Sequence, residues 1–285
     1  MNPELRTKLL ALGTSLTPQM IQGTRDLMAA IAAPADPAVV ITRDRFYGPD
    51  ERNRLDLFRK GSPSRAPVLV YVHGGGFVMG DKTSPGSPFF DSIGQWAAQQ
   101  GWVGVTLTYR LAPAHRWPCG PEDMGLAVRW LREHVAEYGG DPGAIFLMGQ
   151  SAGAAHVAAY ISRSPDTGLA GALLISGIYN ALTQPPSQFS AAYYGADHAR
   201  LAEANCVPAL VATKLPLLFS VSEFDPEDFQ AQAAQLTQAW HERNGRYPAM
   251  AYLPGHNHLS PAQSIGSAED QLARSILDFV AVNRP

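Results

Sequence analysis

Apolar residues recur along this chain in two rhythms. Over the first thirty positions they return every three or four residues, which predicts two short amphipathic helices, Pro3–Leu12 and Pro18–Ile31. The stretch Ala-Pro-Ala-Asp-Pro at 33–37 ends that pattern, because proline lacks the N–H a helix needs and clashes with the preceding turn. Extended segments follow at Val39–Tyr47 and Arg54–Arg59. Val68-Leu69-Val70-Tyr71-Val72 is then a continuous apolar run, the pattern of a strand covered on both faces, and it leads into His73-Gly74-Gly75-Gly76.

From there strands and helices alternate. Val103–Tyr109 reads as a strand. Pro121–Tyr138 reads as a helix with proline at its first position and Gly139-Gly140 stopping it. Ala144–Met148 is a strand, Ala152–Ser162 a helix, Ala172–Ser176 a strand and Leu215–Ser222 a strand. Asp228–Asn244 is a helix that places Phe229, Ala233, Leu236 and Trp240 on one face and ends at Gly245. Ala249–Leu253 is the last strand and Ala268–Val282 the last helix. Strands separated by helices over about two hundred residues imply an α/β class, with a mostly parallel sheet and helices on both faces. The Ser-, Pro-, Ala- and Tyr-rich stretch from Ile178 to Pro208 breaks the rhythm and reads as an excursion over the sheet. One domain spanning 1–285 is the economical organisation.

Composition narrows the partners. Hydrophobic residues make up 46% and charged residues 16% of 285, enough for a sizeable core. The net charge is −3 with no block of like charges, which argues against nucleic acid or an anionic membrane surface as partner. Cys119 and Cys206 stand far apart, so two free thiols in a reducing compartment are expected, without a zinc site or disulfide framework. The start, Met1-Asn2-Pro3-Glu4-Leu5-Arg6, lacks the basic-then-apolar form of a secretory signal. No apolar run approaches the roughly 18 residues of a spanning helix, so a cytoplasmic location is expected.

Two glycine motifs carry chemistry. Gly149-Gln150-Ser151-Ala152-Gly153 fits G-x-S-x-G, with an apolar strand before it and an Ala-rich helix after it. A serine in a sharp strand-to-helix turn needs glycine two residues away on either side, and the helix N-terminus then aims free N–H groups at the reacting oxygen. Ser151 is therefore the expected nucleophile. His73-Gly74-Gly75-Gly76-Phe77, at a strand's end, lets backbone N–H groups approach a substrate oxygen without side chains in the way. Donors of that kind are worth about 2.7–4 kcal/mol each to acyl transfer.

With Tyr109-Arg110-Leu111-Ala112-Pro113, His115, Pro118, Glu122-Asp123 and Gly140-Asp141-Pro142 added, the chain resembles the hormone-sensitive-lipase-like branch of the α/β-hydrolases over about residues 65–280. The resemblance implies an α/β-hydrolase fold with eight strands, cofactor-free hydrolysis of carboxylic esters, and an oxyanion hole from the N–H groups of Gly75, Gly76 and Ala152. It also implies that residues 1–34 form part of a small cap, joined by 178–208. Two positions depart from the branch: Gln150 stands where Asp is usual, and Ala154 where Gly is common.

This fold orders its triad Ser, acid, His. The acid should follow a strand end, and Leu215–Ser222 leads into Glu223-Phe224-Asp225-Pro226. Asp225 matches the family's Asp-Pro and is the first choice, with Glu223 second; Asp228 suits the start of the next helix. The base should follow the last strand, where Gly255-His256-Asn257-His258-Leu259-Ser260 holds two histidines. Related esterases place theirs before an apolar residue and serine, which favours His258 and leaves His256 to loop packing or hydrogen bonding. No third ligand accompanies the pair, so no metal is expected. Asp123 and Arg110 are expected to brace the fold, and His115 and His156 to be structural. Phe189, Tyr193 and Tyr194 are equally suited to a pocket or a packed loop. The expected function is hydrolysis of esters with short to medium acyl chains. An aryl formamidase or amidase could use the same triad, and a non-catalytic receptor for a small ligand is disfavoured because all three triad positions are filled. Neither the natural substrate nor the oligomeric state follows from these residues.

Overall fold

The continuous apolar runs become the middle of an eight-stranded sheet in the computed structural model, which describes residues 1–164 and 166–285. Its strands are β1 (Val39–Phe46), β2 (Arg54–Lys60), β3 (Ala66–Val72), β4 (Val103–Leu107), β5 (Gly140–Gln150), β6 (Gly171–Ile175), β7 (Leu217–Phe224) and β8 (Ala249–Asn257). They lie in the order β1-β2-β4-β3-β5-β6-β7-β8. The β1–β2 and β2–β4 pairs are antiparallel and every later pair is parallel.

Alternation along the central strands sends side chains to two separate cores. Val68, Val70 and Val72 of β3, with Ile145 and Leu147 of β5, face one layer; Leu69, Tyr71, Phe146 and Met148 face the other. The first layer is closed by α4 (Cys119–His134), α5 (Ala152–Arg163), α8 (Val207–Ala212) and α9 (Glu227–Asn244), through Met124, Leu131, Val157, Leu210 and Leu236. The second is closed by α3 (Asp91–Gln99), α10 (Ser260–Gln263) and α11 (Ala273–Asn283), through Ile93, Trp96, Ala262, Ile276 and Val280. Burying each large side chain contributes about 1.5–3 kcal/mol. Such burial holds the strand ends, and hence the loops that follow them, in fixed places.

The N-terminal helices α1 (Pro3–Ala11) and α2 (Pro18–Ile31) are capped by the side chains of Asn2 and Thr17. Leu5, Leu9 and Met28 bury together against Phe89 as a small core of their own. Both helices bear on the last two strands: α1 packs on β8 and pairs Arg6 with Glu223 near the end of β7 at 2.5 Å, and Thr24 Oγ1 of α2 accepts from Asn257 Nδ2 at the end of β8 at 2.6 Å. The 178–208 excursion holds two short helices, α6 (Gln188–Tyr194) and α7 (His198–Glu203), and runs into the start of α8.

Several element bounds differ from the sequence pattern. The helix expected from Pro121 begins at Cys119, so Pro121 is its third residue; proline is tolerated there because first-turn N–H groups have no helical acceptor. That helix gives way to a 3₁₀ turn, Val135–Tyr138, closed by Gly139 at φ 84°. The last helix starts at Ala273, where the Asp270 carboxylate accepts from the N–H groups of Leu272 and Ala273. Among the described residues no helix is long and apolar enough to cross a membrane.

Candidate active site

The turn at Ser151 is built by exclusion. Ser151 sits between β5 and α5 at φ 56°, a conformation that costs a non-glycine residue about 1–3 kcal/mol. Its N–H donates to Ile175 O of the neighbouring strand at 2.9 Å, which fixes the turn to the sheet. A Cβ at Gly149 would meet Gly153 O at 2.5 Å, and one at Gly153 would collide with the carbonyl oxygens of Val72 and His73. Both glycines are therefore obligatory, which is the steric content of the motif.

The loop after β3 comes to the same place. Gly75 and Gly76 both have positive φ, at 131° and 58°. A side chain on Gly75 would collide with Met79 O, and one on Gly76 would press on Phe189 of α6 at 3.1 Å. Among the described residues, the N–H groups of Gly75, Gly76 and Ala152 have no protein acceptor.

The acid candidates separate cleanly. Asp225 is buried, and its Oδ1 faces His258 Nδ1 at 2.7 Å. Its Oδ2 accepts from Ser176 Oγ at 2.7 Å and from the Ser222 N–H at 2.6 Å. Glu223 points elsewhere: one oxygen accepts from the Gly255 N–H at 2.6 Å and the other from Arg6. The Gly255 bond, with Arg6 behind it, holds the Glu223 carboxyl below the usual range.

The two histidines of the last loop also part company. His258 is buried against Phe229, ring centroids 4.1 Å apart, and its Nε2 has no hydrogen-bond partner among the described residues. No hydrogen bond joins that nitrogen to Ser151 Oγ. His256 bonds Ser260 Oγ through Nδ1 at 2.9 Å. Burial, with the charge of the N-terminal ammonium, lowers its pKa to about 4. Asn257 ties the loop together: its Oδ1 accepts from the N–H groups of Leu259 and Ser260, while Nδ2 reaches Thr24.

The remaining sequence candidates have structural surroundings. Asp123 accepts from Arg110 Nε and Arg110 N, both at 2.8 Å, bracing the segment that leads into α4. His156 lies among Phe77, Tyr109 and Tyr193, and burial lowers its pKa to about 3. Tyr193 stacks on Phe77 at 4.5 Å and Tyr194 meets it edge-on, so both are core; Phe189, half-buried over Gly76, borders the glycine loop. His115 is half-buried beside Asp50. Among the described residues no group of three or more His, Cys, Asp or Glu side chains is arranged to hold a metal ion. Ser176 and Ser222 at the acid, and the Gln150 Nε2 bond to His258 O at 2.9 Å, have no counterpart in the sequence pattern. Those contacts join strand ends 3 to 108 residues apart and leave no local motif.

An eight-stranded sheet with a serine elbow at the end of β5, an acid after β7 and a histidine after β8 defines an α/β hydrolase. This chain belongs to the α/β hydrolase fold family, whose pattern matches residues 69–261. It is 29% identical to Esterase LipQ of Mycobacterium tuberculosis over 269 residues, covering 85% of this chain and 62% of LipQ. It is 40% identical to Esterase LipC of the same organism over 110 residues, 38% of this chain and 26% of LipC. The chain thus spans less than two thirds of the length of these relatives. A crystal form of the Pyrobaculum calidifontis esterase superposes with a TM-score of 0.74 at 21% identity, covering all of both chains, and shares the fold.

Proposed function

We propose that this protein is a carboxylesterase-type serine hydrolase with Ser151 as nucleophile, His258 as general base and Asp225 as its orienting acid. The observation that carries the proposal is the buried 2.7 Å contact between His258 Nδ1 and Asp225 Oδ1, which leaves Nε2 bare. The names of LipQ and LipC, both esterases, support the same reading.

In this mechanism an ester carbonyl enters between Ser151 and the glycine loop. His258 Nε2 takes the Ser151 proton as Oγ attacks the carbonyl carbon. The developing oxyanion accepts hydrogen bonds from the N–H groups of Gly75, Gly76 and Ala152. Asp225 holds the imidazole in the tautomer with hydrogen on Nδ1 and stabilises the imidazolium. Ser176 and the Ser222 N–H in turn hold the Asp225 carboxylate in place against the ring. The imidazolium gives its proton to the departing alcohol. Water, deprotonated by His258, then attacks the acyl-enzyme and releases the acid.

The chain works in this reading as one hydrolase domain whose residues 1–34 and 178–208 cover the site and favour short to medium acyl groups. Phe189 beside Gly76 and α2 against the histidine loop support a closed rather than a lipid-facing entrance. The test is a fluorophosphonate probe followed by peptide mapping, run beside a graded series of p-nitrophenyl esters. Label on Ser151 and rates that fall for long acyl chains are expected. Label elsewhere overturns the nucleophile, and a flat or rising series overturns the closed entrance. A matched aryl ester and formanilide separate esterase from amidase, and the ester is expected to turn over faster.

A further inference from the structure

We propose that Gln150 is a positioning residue that sets the spacing between the nucleophile, the base and the glycine loop; the inference rests on the assignment of Ser151 and His258 above. Gln150 is the last residue of β5, immediately before Ser151, and its side chain is 3% exposed. Its Nε2 donates to the main-chain carbonyl of His258 at 2.9 Å. Its Oε1 lies against Gly74, where a Cβ would meet it at 2.5 Å, so a side chain at Gly74 would displace the amide. One planar amide thus touches the residue before Gly75, the residue that bears the base, and the strand end that delivers the nucleophile.

The chemistry of the contact selects this side chain. A backbone carbonyl only accepts, so its partner must donate, and an ionised carboxylate at this position would have no proton to give. Glutamine supplies both the N–H and the reach. Asp225 and Gln150 divide the work of holding His258. Asp225 holds the ring at Nδ1, and Gln150 pins the main chain from which the ring hangs. With the carbonyl released, the main chain at His258 is held from one side only, by the Asn257 contacts, and its distance from the strand end that carries Ser151 is no longer fixed. A misplacement of about 1 Å in such a site costs about 10²-fold in rate.

Two variants test the inference in the full chain. Gln150→Met keeps length and loses the N–H; Gln150→Glu keeps shape and sets an acceptor against an acceptor. With a p-nitrophenyl ester, kcat is expected to fall about 10- to 100-fold in Gln150→Met and at least as far in Gln150→Glu, with KM within about twofold of wild type. The rate of fluorophosphonate labelling at Ser151 should fall in parallel, because that reaction reads serine activation without ester binding. A folded Gln150→Met whose kcat stays within about threefold of wild type, or whose loss lies in KM, overturns the proposal. Should Gln150→Glu fail to fold, Gln150→Asn takes its place; its amide is too short to reach His258 O, and it is expected to match Gln150→Met. Ser151→Ala run alongside separates two failures. An inactive Ser151→Ala with an unimpaired Gln150→Met removes only the role of Gln150, whereas an active Ser151→Ala removes the assignment beneath it.

Discussion

The end of β8 with the loop it enters and the aromatic cluster beneath the glycine loop each bury two histidines, in very different company. In the cluster, His73 stacks on Tyr109 at 4.3 Å and His156 meets Phe77, Tyr109 and Tyr193, with no carboxylate bonded to either ring. Burial drives both toward neutrality, His73 to about 4 and His156 to about 3. In the loop, His256 has a hydroxyl for partner, and only His258 has a carboxylate. A buried imidazole can carry a proton through a reaction only where a negative charge waits to hold the cation. Burial lowers the pKa of three of these histidines, and His258 alone of the four sits against a carboxylate.

The sharpest way to break that contrast is to exchange the members of the loop pair. His258→Ala should reduce kcat about 10⁴-fold or more, as Ser151→Ala should, while His256→Ala should remain within about tenfold of wild type. A reversed order in steady-state assays would move the base to His256.

Next in size is the carboxylate. Asp225→Asn should lower kcat about 10³- to 10⁴-fold, since an amide favours the wrong tautomer of His258. Glu223→Gln, whose side chain is committed to Gly255 and Arg6, should change kcat no more than about threefold. Comparable losses in the two variants would mean that position in the strand end, not the bond to the imidazole, is what counts.

The cluster makes a prediction about stability. His156 is neutral in the fold down to about pH 3, whereas an unfolded histidine takes its proton near 6.5. Between those values the unfolded state binds the extra proton, so stability falls as the pH is lowered through the window, by about 1 kcal/mol per unit for each such histidine. Denaturant melts from pH 7 to pH 4 should show that slope, and His156→Leu should lessen it by one histidine's share, with His73 and His256 keeping theirs, whatever its stability at pH 7. An undiminished slope would show that His156 is not held neutral.

The smallest effect expected is at Thr24. Thr24→Val leaves the buried Asn257 amide without its oxygen acceptor and should cost about 1–3 kcal/mol in the same melts. No change in stability would mean that α2 merely rests on the loop.

What could be read from the sequence was whatever has a local steric cause. The elbow at Ser151 announces itself because Gly149 and Gly153 cannot be anything else, and β3 and β5 because both of their faces are buried. Helix α3 left no such mark. Its N-cap position is Phe90, which makes no side-chain cap, and Gly94 interrupts it. A Cβ on that glycine would strike the Phe58 ring, and one on Gly104 would strike the backbone of Gly94, a tertiary reason no local pattern carries. The choice of Asp225 over Glu223 drew on a family motif, and the structure adds the physical difference between them. Contacts such as Ser176 with Asp225 or Gln150 with His258 exist only once the strands lie side by side.

The bond between Thr24 and Asn257 joins positions 233 residues apart, and α1 and α2 settle on the strand and loop that end the sheet. Synthesis delivers α1 and α2 before β7 and β8. Leu5, Leu9 and Met28 can reach Phe89 early, whereas Arg6 waits for Glu223 and Thr24 waits for Asn257. The turn at Ser151 is therefore made before the contact that ties α2 to the end of β8 can form.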